Sequence, residues 1–331
     1  MNKIRIGVIG VGKLGSFHCE KLANMDEAEL VGVYDTIPDR ATEIAKKYNT
    51  KSYSTIEALF NVVDAVSVAV PTSDHLKICK PALEHKLPVF VEKPITATVD
   101  QAKELVEISR ANNTILQVGH VERFNPGLQA LSAYNLKPMF IESHRLAPFD
   151  PRGSDVAVVL DLMIHDIDII MVLVKSPVIQ IEANGVAVVS DEADIANARV
   201  QFQNGCVANL TASRISQRKM RKMRLFQRDS YISIDFLQRL TEIFQIKDPG
   251  MHETLESTVI LGQIEKGKKP KHIIYDRPKT PEIDALKEEL RSFAIAVRDG
   301  SKPVVSGADG LRALEVATEI SRIVKSQQTL H

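Results

Sequence analysis

The sequence contains no tryptophan, and aromatic residues make up only 5% of its 331 residues. Proteins that bind bases or sugars by stacking present several aromatic rings, so this composition argues against such a surface. Lys and Arg together number 42, as do Asp and Glu. Because the formal charges cancel, no overall field would attract nucleic acid or an anionic membrane. We therefore expect neither of them as a partner.

Cysteine is also scarce, and its three positions, Cys19, Cys79 and Cys206, are far apart. An odd number at this spacing is typical of reduced, buried thiols and unlike a disulfide framework or a zinc site. No apolar run approaches the length of a membrane span, and the first strand pattern begins at once, without a signal peptide. These features predict a cytoplasmic protein, and its length favours two domains.

A glycine motif, Gly10-x-Gly12-x-x-Gly15, lies between two apolar runs near the start of the chain. Residues 4–9 have the pattern of a strand, and a helical pattern leads from the glycines to a second strand over 30–34. The first glycine would permit a tight turn, the second the approach of a pyrophosphate, and the third close packing of helix on strand. The helix N-terminus would add free N–H groups and a partial positive charge. The motif predicts a dinucleotide site.

Asp35 ends the second strand, twenty residues after the last glycine. A carboxylate there can accept both hydroxyls of an adenosine ribose. Its negative charge would repel the 2′-phosphate of NADP. We therefore predict NAD as the cofactor.

Strands and helices alternate as far as residue 118. The predicted strands after Asp35 are near 52–53 and over 65–70, 88–91 and 115–118, and the helices cover 38–48, 56–60, a segment ending at Leu83, and 99–111. Such alternation predicts an α/β fold with a doubly wound parallel sheet and right-handed crossovers. In these sheets, ligands bind beyond the carboxyl ends of the strands. We predict a Rossmann domain over residues 1–120.

The pattern changes near Gly119, where strands begin to follow one another without helices between them. After helices over 124–134 and 155–174 and a strand over 139–143, we predict strands over 178–189, 195–203, 206–212, 222–227, 230–236 and 241–246. Residues 263–280 are rich in Lys, Pro and Gly and read as a loop before helices 281–298 and 307–325. The succession predicts a second α/β domain over 121–331, with a large, mostly antiparallel open sheet and a helix on one face.

Two short segments could carry chemistry. Lys93, in Glu92-Lys93-Pro94, follows a predicted buried strand directly and could polarise a substrate hydroxyl; the alternative is a solvated lysine on a surface turn. Asp161 and His165 are four residues apart on a predicted helix and share a face. An imidazole oriented by a carboxylate is a good general base. A helix-surface ion pair is the alternative, and a metal site would lack further His or Cys ligands.

Seven basic residues lie within one stretch, 214–228, of this neutral chain. They are Arg214, Arg218, Lys219, Arg221, Lys222, Arg224 and Arg228. Arginine forks suit the phosphates of an anionic substrate such as a nucleotide sugar. A solvated hairpin or an oligomer contact is the alternative interpretation.

Taken together, these segments resemble the Gfo/Idh/MocA oxidoreductase family. The matching marks are the glycine motif, Pro71 to His75, Glu92-Lys93-Pro94, Asp161-x-x-x-His165 and the final helix beginning at Gly307. The resemblance implies hydride transfer between a nicotinamide and a carbon that bears a sugar or cyclitol hydroxyl. It also implies that Lys93 polarises this hydroxyl, His165 is the acid/base and Asp161 orients the substrate or the imidazole. The open sheet commonly forms the oligomer interface in this family, which implies a homodimer or homotetramer.

A narrower resemblance covers the segments 119–126, 142–146, 161–168 and 209–214. They are similar to the bacterial UDP-N-acetylglucosamine 3-dehydrogenases, the members of the family that prepare a 3-amino sugar nucleotide for lipid A. The implied reaction is oxidation at C3 of this UDP-sugar. An inositol or simple-sugar dehydrogenase is the main alternative, and a non-catalytic NAD-binding regulator is another.

The resulting residue assignments are as follows. Cofactor binding is predicted for Gly10, Gly12, Lys13, Leu14, Asp35, Arg40, Pro71, His75, Glu92 and Lys93. Substrate binding is predicted for Lys93, Arg123, Arg145, Arg152, Asp161, His165 and Arg214, with the four arginines serving a diphosphate. The catalytic residues are Lys93, Asp161 and His165, and no metal is expected.

Overall fold

The computed structural model describes residues 3–150, 156–249, 258–266 and 269–328. The first elements are β1 Ile4–Ile9, α1 Lys13–Ala23, β2 Ala28–Tyr34, α2 Pro38–Lys47, β3 Lys51–Ser52, α3 Ile56–Phe60, β4 Ala65–Val68, α4 His75–Glu84, β5 Val89–Glu92, α5 Val99–Ala111 and β6 Leu116–Gly119. There follow α6 Pro126–Gln129, β7 Phe140–Leu146, α7 Ile164–Val174, β8 Val178–Val186, β9 Ile195–Phe202, β10 Val207–Ser213, β11 Met220–Gln227, β12 Ser230–Asp235, β13 Leu240–Lys247, β14 Thr258–Lys266, β15 Lys269–Asp276, α8 Ala285–Asp299 and α9 Gly307–Gln328. Within the described ranges, no helix is long and apolar enough to cross a membrane.

The chain forms two compact units. Unit 1 comprises Met1–Val121 and Ile283–Glu315, and unit 2 comprises Glu122–Glu282 and Val316–His331. The sequence prediction assigned α8 to the second domain, but its buried face, with Leu290 and Phe293, belongs to the core of unit 1. The rings of Phe293 and Phe90 pack edge to face, with centroids 5.8 Å apart. Apolar spacing along α8 predicts a buried face but does not identify the sheet on which it packs.

The six strands of unit 1 form a parallel sheet in the order β3-β2-β1-β4-β5-β6. The predicted doubly wound parallel sheet is confirmed. All four residues of β4 are buried, as expected for a strand covered on both faces. The strand order reverses between β1 and β4, and such a switch point opens a ligand crevice at the carboxyl ends of the strands.

The described residues of unit 2 form a nine-stranded sheet in the order β14-β15-β13-β12-β11-β7-β10-β9-β8. Every neighbouring pair is antiparallel except β7 and β10, so the predicted mostly antiparallel sheet is confirmed. Residues of β7 alternate between a buried set, Ile141, Ser143 and Arg145, and a partly exposed set. One face of the sheet is therefore packed, and the other is open.

The predicted loop over 263–280 is wrong, because β14 and β15 form a hairpin there. Pro270 pairs with Glu265 on one side, while β13 pairs with β15 only between His272 and Asp276. Among the described residues, the side of β15 opposite β14 has no partner strand at the proline, so its missing N–H costs no ladder bond there. The Lys and Pro residues that suggested a loop thus lie at the end of the hairpin, where a strand tolerates them.

The helix predicted over 155–174 has two parts within the described residues. Val159–Met163 is a π-helix, and α7 continues from Ile164. The predicted helix 124–134 is also much shorter, because only α6 follows a 3₁₀ turn at Val121–Phe124. A π-turn has no signature in apolar spacing, yet such turns are frequent at functional sites.

Candidate functional site

The glycine turn of unit 1 has the geometry that its motif predicts. Gly10 has a φ of +82°, and a Cβ there would lie 2.8 Å from the carbonyl oxygen of Ala69. A Cβ on Gly15 would lie 1.8 Å from the Gly10 carbonyl oxygen, so only glycine fits there. No atom would come within 4 Å of a Cβ on Gly12. Gly10 thus permits the turn, Gly15 permits the close packing, and Gly12 leaves open space beside the turn.

The N-terminus of α1 adjoins this open space. Gly12 is its N-cap and supplies no side-chain hydrogen bond, and the first turn contains no acidic residue. Lys13 and Leu14 are exposed in this turn. The backbone N–H groups and the helix dipole therefore favour an anion. A dinucleotide pyrophosphate fits the loop.

Asp35 is fixed at the end of β2. Its Oδ2 accepts a hydrogen bond from the Val11 N–H at 2.8 Å, and its Oδ1 accepts one from the Ile37 N–H at 2.9 Å. A carboxylate has about four lone-pair sites, and two of them face only the long contacts of Arg40, which two ribose hydroxyls could displace. Arg40 Nη1 lies 3.5 Å from each oxygen, and its half-exposed guanidinium is a group that favours a 2′-phosphate. Asp35 and Arg40 thus have opposite effects on cofactor choice.

Glu92 ends β5 at the same edge of the sheet, Lys93 and Pro94 follow it, and the Lys93–Pro94 peptide bond is cis. Lys93 is half-buried. The Glu92 carboxylate accepts hydrogen bonds from the His18 ring at 3.0 Å and from the Lys93 N–H at 3.3 Å. Burial acts to raise the pKa of Glu92, but the hydrogen bond from His18 and the nearby charges outweigh it and lower this pKa. Glu92 is thus bound within unit 1.

His75 begins α4 and is only 1% exposed. Its Nδ1 lies 3.0 Å from the Pro94 carbonyl oxygen, and its Nε2 lies 3.1 Å from that of Val70. The ring is therefore enclosed and engaged with the backbone, which opposes the prediction that it binds the cofactor. Pro71, by contrast, is exposed just after β4. Its cofactor contact stays a prediction.

Asp161 and His165 lie on the helical segment of unit 2, and both are half-buried. Asp161 belongs to the π-helix, whereas His165 lies in the first turn of α7. The α-helical spacing behind the predicted shared face therefore does not apply to the part that contains Asp161. Their catalytic roles stay predictions.

Two buried arginines bind the carboxylates that follow His165 on α7. Arg123 donates to both oxygens of Asp168 at 2.7 and 2.6 Å. Arg145, 2% exposed, donates to Asp166 at 2.6 Å and to Glu122 at 2.8 Å. Burial acts to lower the pKa of Arg145, but the charges of both carboxylates outweigh it and raise this pKa. These contacts hold α7 against the sheet.

Arg214 is also buried and contacts the segment before the π-helix. Its guanidinium donates to the carbonyl oxygens of Val156 and, at 3.2 Å, of Ala193, and it lies 3.4 Å from the Asp194 carboxylate. The prediction that Arg123, Arg145 and Arg214 bind a diphosphate is therefore not supported, because their donors face groups of unit 2. Arg152, the fourth predicted arginine, lies outside the described residues.

Beyond Arg214, the basic run divides into side chains that form ion pairs and side chains that do not. Arg221, Lys222 and Arg224 form ion pairs with Glu122, Asp235 and Glu142, at 3.2, 3.2 and 3.1 Å respectively. Arg218 and Lys219 precede β11 and Arg228 follows it; all three are exposed, and the described residues offer them no hydrogen bond or ion pair. Within the described part of the chain, these three basic side chains of the run are exposed and have no ion pair, which leaves them available to an anion.

Sequence reasoning missed His18, Ser67 and Glu122. His18 lies at a core position of α1, since the buried residues of this helix are Gly15, His18, Cys19 and Leu22. A polar residue at the spacing of a helical core is the signal that could have found it. Ser67 lies inside an apolar strand and offers the same signal, whereas Glu122 lies in an irregular segment without periodicity.

Comparison with known proteins adds independent information. A model described as the oxidoreductase family with an NAD-binding Rossmann fold matches residues 4–120, and one described as the GFO/IDH/MocA C-terminal domain matches 140–231. The UDP-N-acetylglucosamine 3-dehydrogenase of Acidithiobacillus ferrooxidans is 34% identical over 330 residues, covering 98% of this chain and 99% of the relative. A solved structure of that enzyme has a TM-score of 0.88, with the same identity and coverage. The myo-inositol 2-dehydrogenase of Thermotoga maritima is 27% identical, covering 94% and 93% of the two chains.

Replacing Arg145 with Met should destabilise unit 2. The change leaves the buried carboxylates of Asp166 and Glu122 without this cation, which typically costs about 3–5 kcal/mol in the free energy of unfolding. Arg224→Met is the matched control, since its pair with Glu142 is about one-third exposed and should be worth about 1 kcal/mol or less. Urea unfolding measures both; equal losses would contradict a structural role for Arg145.

Proposed function

Because the chain belongs to the Gfo/Idh/MocA oxidoreductase family, we propose that it is an NAD-dependent dehydrogenase that oxidises C3 of UDP-N-acetylglucosamine. The similarity to the Acidithiobacillus ferrooxidans enzyme, which extends over nearly the full length of both chains, carries the choice of substrate. The 3-keto product would serve as the precursor of a 3-amino sugar nucleotide for lipid A.

The cofactor would bind unit 1. The open space at Gly12 and the N-terminus of α1 fit its pyrophosphate, and the Asp35 carboxylate, where ribose hydroxyls would displace the 3.5 Å contacts of Arg40, fits the adenosine ribose. When bound, the nicotinamide ring supplies the acceptor for the hydride that leaves C3. The negative charge of Asp35 is the reason for choosing NAD.

Three side chains would act on the substrate hydroxyl. The Lys93 ammonium donates a hydrogen bond to the C3 oxygen and stabilises the negative charge that develops on it. His165 accepts the hydroxyl proton as the C=O double bond forms. Asp161 orients the substrate or the imidazole.

The UDP moiety requires a partner for its phosphates. Arg214, Arg123 and Arg145 are buried in internal contacts, so we assign this role to Arg218 and Lys219, which are exposed at the start of β11. Charge-assisted hydrogen bonds to phosphate are among the strongest polar contacts.

Oxidation of a cyclitol such as myo-inositol is the second candidate. The similarity to the Thermotoga maritima enzyme over most of both chains favours it. A cyclitol carries no phosphate, so it has no use for the exposed basic pair. A regulator without catalytic activity is disfavoured, because Lys93 and His165 both remain in place.

Incubation with UDP-N-acetylglucosamine and NAD should produce NADH, which is measured by its absorbance. A ketone trap or a coupled aminotransferase should be present, because formation of the ketone is unfavourable. Lys93→Met should reduce kcat by about 10²–10³-fold, as loss of one donor to a developing oxyanion does, and leave NAD affinity nearly unchanged. Turnover of myo-inositol without turnover of the UDP-sugar would exclude the proposed substrate.

The exposed arginines at the two ends of β11 provide the control for the phosphate assignment. Arg218→Ala should raise KM for the UDP-sugar by about tenfold or more, since a charge-assisted hydrogen bond contributes roughly 1.5–3 kcal/mol. Arg228→Ala, with the same charge change at the other end of the strand, should leave KM nearly unaltered. Equal effects would indicate a general loss of positive field.

Replacing Asp35 with Ala should shift cofactor preference from NAD towards NADP. The change removes two ribose acceptors and a charge that repels the 2′-phosphate, so NAD affinity should fall by about tenfold or more. Arg40→Ala is the matched control and should weaken NADP binding instead. Fluorescence titration with NADH and NADPH measures both affinities. An unchanged preference in Asp35→Ala would contradict the role of this carboxylate.

We also propose that the protein is a homodimer or homotetramer joined through the open face of the unit 2 sheet. Phe140, Phe226, Tyr231, Phe244 and Tyr275 form a row of partly exposed rings across five neighbouring strands, with successive centroids 5.0 to 5.7 Å apart. Such a row of aromatic rings is typical of protein interfaces.

Phe226→Glu should convert the oligomer to monomers, because it places a charge within the aromatic row. Phe226 is 37% exposed and Phe149, which lies outside the row, is 46% exposed, so Phe149→Glu is a suitable control. Light scattering coupled to size-exclusion chromatography measures the mass. A mass unchanged by Phe226→Glu would move the interface elsewhere.

A further inference from the structure

The lysine turn, Glu92 to Ile95, contacts two buried histidines of unit 1. We propose that His18 and His75 are positioning residues that hold the lysine turn and so fix Lys93 for its reaction. The proposal rests on the proposed function in one respect, the role given to Lys93.

His18 connects α1 to two strands of the sheet. Its side chain is fully buried, with Nδ1 2.8 Å from the Ser67 hydroxyl and Nε2 3.0 Å from Glu92 Oε1. An ionised carboxylate only accepts hydrogen bonds, so the Nε2–H donates to Glu92, and Nδ1 forms a hydrogen bond with the serine hydroxyl, which can either donate or accept. The edge-to-face contact with Phe90, at 5.5 Å between centroids, fixes the plane of the imidazole. The ring therefore has one orientation, set by three neighbours.

Glu92 transmits this orientation to Lys93. One carboxylate oxygen accepts from His18, and the other accepts the backbone N–H of Lys93 at 3.3 Å. Gly119, at the end of the adjacent strand β6, leaves the room that the carboxylate occupies, since a Cβ there would lie 3.1 Å from Glu92 Cδ and from both oxygens. The carboxylate is thus confined on the side of β6 as well.

His75 holds the other half of the lysine turn. Its Nδ1 lies 3.0 Å from the Pro94 carbonyl oxygen and 3.2 Å from that of Ile95, while Nε2 lies 3.1 Å from that of Val70. Burial lowers the pKa of His75, although these carbonyl groups and Glu92 act in the opposite direction. A neutral ring has a single N–H, and we place it on Nδ1, where the two carbonyl oxygens of the lysine turn can accept it; Nε2 then faces the Val70 carbonyl oxygen without a hydrogen bond.

Both histidines also contact structure that belongs to the cofactor loop. His18 lies on α1, whose N-terminus adjoins the open space for a pyrophosphate. Val70, whose carbonyl oxygen lies 3.1 Å from Nε2 of His75, is beside the glycine turn, where a Cβ on Gly10 would be 2.7 Å from its Cγ1. The two histidines therefore fix the position of the lysine turn relative to the cofactor loop within unit 1. A change in either histidine should alter the placement of Lys93 and reduce kcat.

The test uses the full-length protein and compares His18→Leu and His75→Leu with His18→Gln and His75→Gln, which keep a side-chain N–H. Hydrogen exchange of the peptide that contains residues 92–97, read by mass spectrometry, reports the order of the lysine turn. The Leu variants should exchange faster there and lose about 10²-fold in kcat, as a misplacement of about 1 Å can cause, with NADH affinity nearly unchanged. The Gln variants should recover most of both losses.

Cys79→Ala is the matched control, because Cys79 is fully buried on the same helix as His75 and, among the described residues, makes no hydrogen bond to the lysine turn. Gly119→Ala is a further variant that keeps both histidines and displaces only the Glu92 carboxylate; it should reduce kcat in the same way. If the Leu variants match Cys79→Ala in exchange and kcat, or if Gln rescues neither, the proposal is wrong.

The two proposals fail differently. If the wild-type protein oxidises neither UDP-N-acetylglucosamine nor myo-inositol, the proposed function is wrong, and the exchange of peptide 92–97 still decides whether the histidines hold the turn. If the wild type is active but exchange in the Leu variants stays at the Cys79→Ala level, only the positioning role is refuted.

Discussion

Buried pairs between guanidinium and carboxylate groups are the contacts on which unit 2 depends. Asp166 and Asp168 lie on a mostly apolar helix, where Arg145 of β7 binds the first and Arg123 of the 3₁₀ turn binds the second. Removing two charges from water is costly, and this cost is recovered only when the geometry satisfies most donors and acceptors. The same constraint makes the arrangement specific, since a helix that shifts along its axis would separate both pairs. His165 lies next to Asp166, so the pairs that hold α7 also fix the predicted base.

In unit 1, buried contacts of neutral and singly charged groups hold the lysine turn in place. The lysine turn begins at the end of the buried strand β5, at the ligand-binding edge of the sheet. His18 of α1 contacts it on one side, and His75 of α4 contacts it on the other. Packing alone would leave such a turn free to move, because only Ile95 contributes a fully buried apolar side chain. Directional hydrogen bonds from His18 and to the carbonyl groups facing His75 supply the missing restraint. In both units, then, buried polar contacts support the segments to which chemistry is assigned.

Much of the fold follows from periodicity. The apolar runs of β1, β4 and β5 and the glycine spacing predict a parallel nucleotide-binding sheet, because each residue responds to local geometry that the chain itself defines. The arginines behave differently. Arg123, Arg145 and Arg214 look like substrate ligands in a sequence, since a guanidinium facing phosphate and one facing a buried carboxylate have the same one-dimensional signature. Only the tertiary contacts distinguish them.

The π-helix at Val159–Met163 and the hairpin β14–β15 could not be predicted from the sequence, for a related reason. Both are defined by the hydrogen bonds between backbone N–H and C=O groups, and the pattern of side chains indicates these bonds only indirectly. His75 illustrates the same limit within a motif, because the family resemblance indicates its importance but not the carbonyl groups that it contacts. His18 could have been found, since a histidine at a core position of a helix requires a polar neighbour.

The position of α8 in the chain has a consequence for biosynthesis. Leu290 and Phe293 complete the core around Phe90, yet more than 160 residues separate the last strand of that sheet from α8. At roughly 5–20 residues per second, a ribosome needs on the order of 10–30 s to make the intervening chain. Throughout that interval the nascent sheet exposes the apolar surface that α8 later covers. The order of synthesis therefore makes unit 1, although it is begun first, dependent on a segment that is made after most of unit 2.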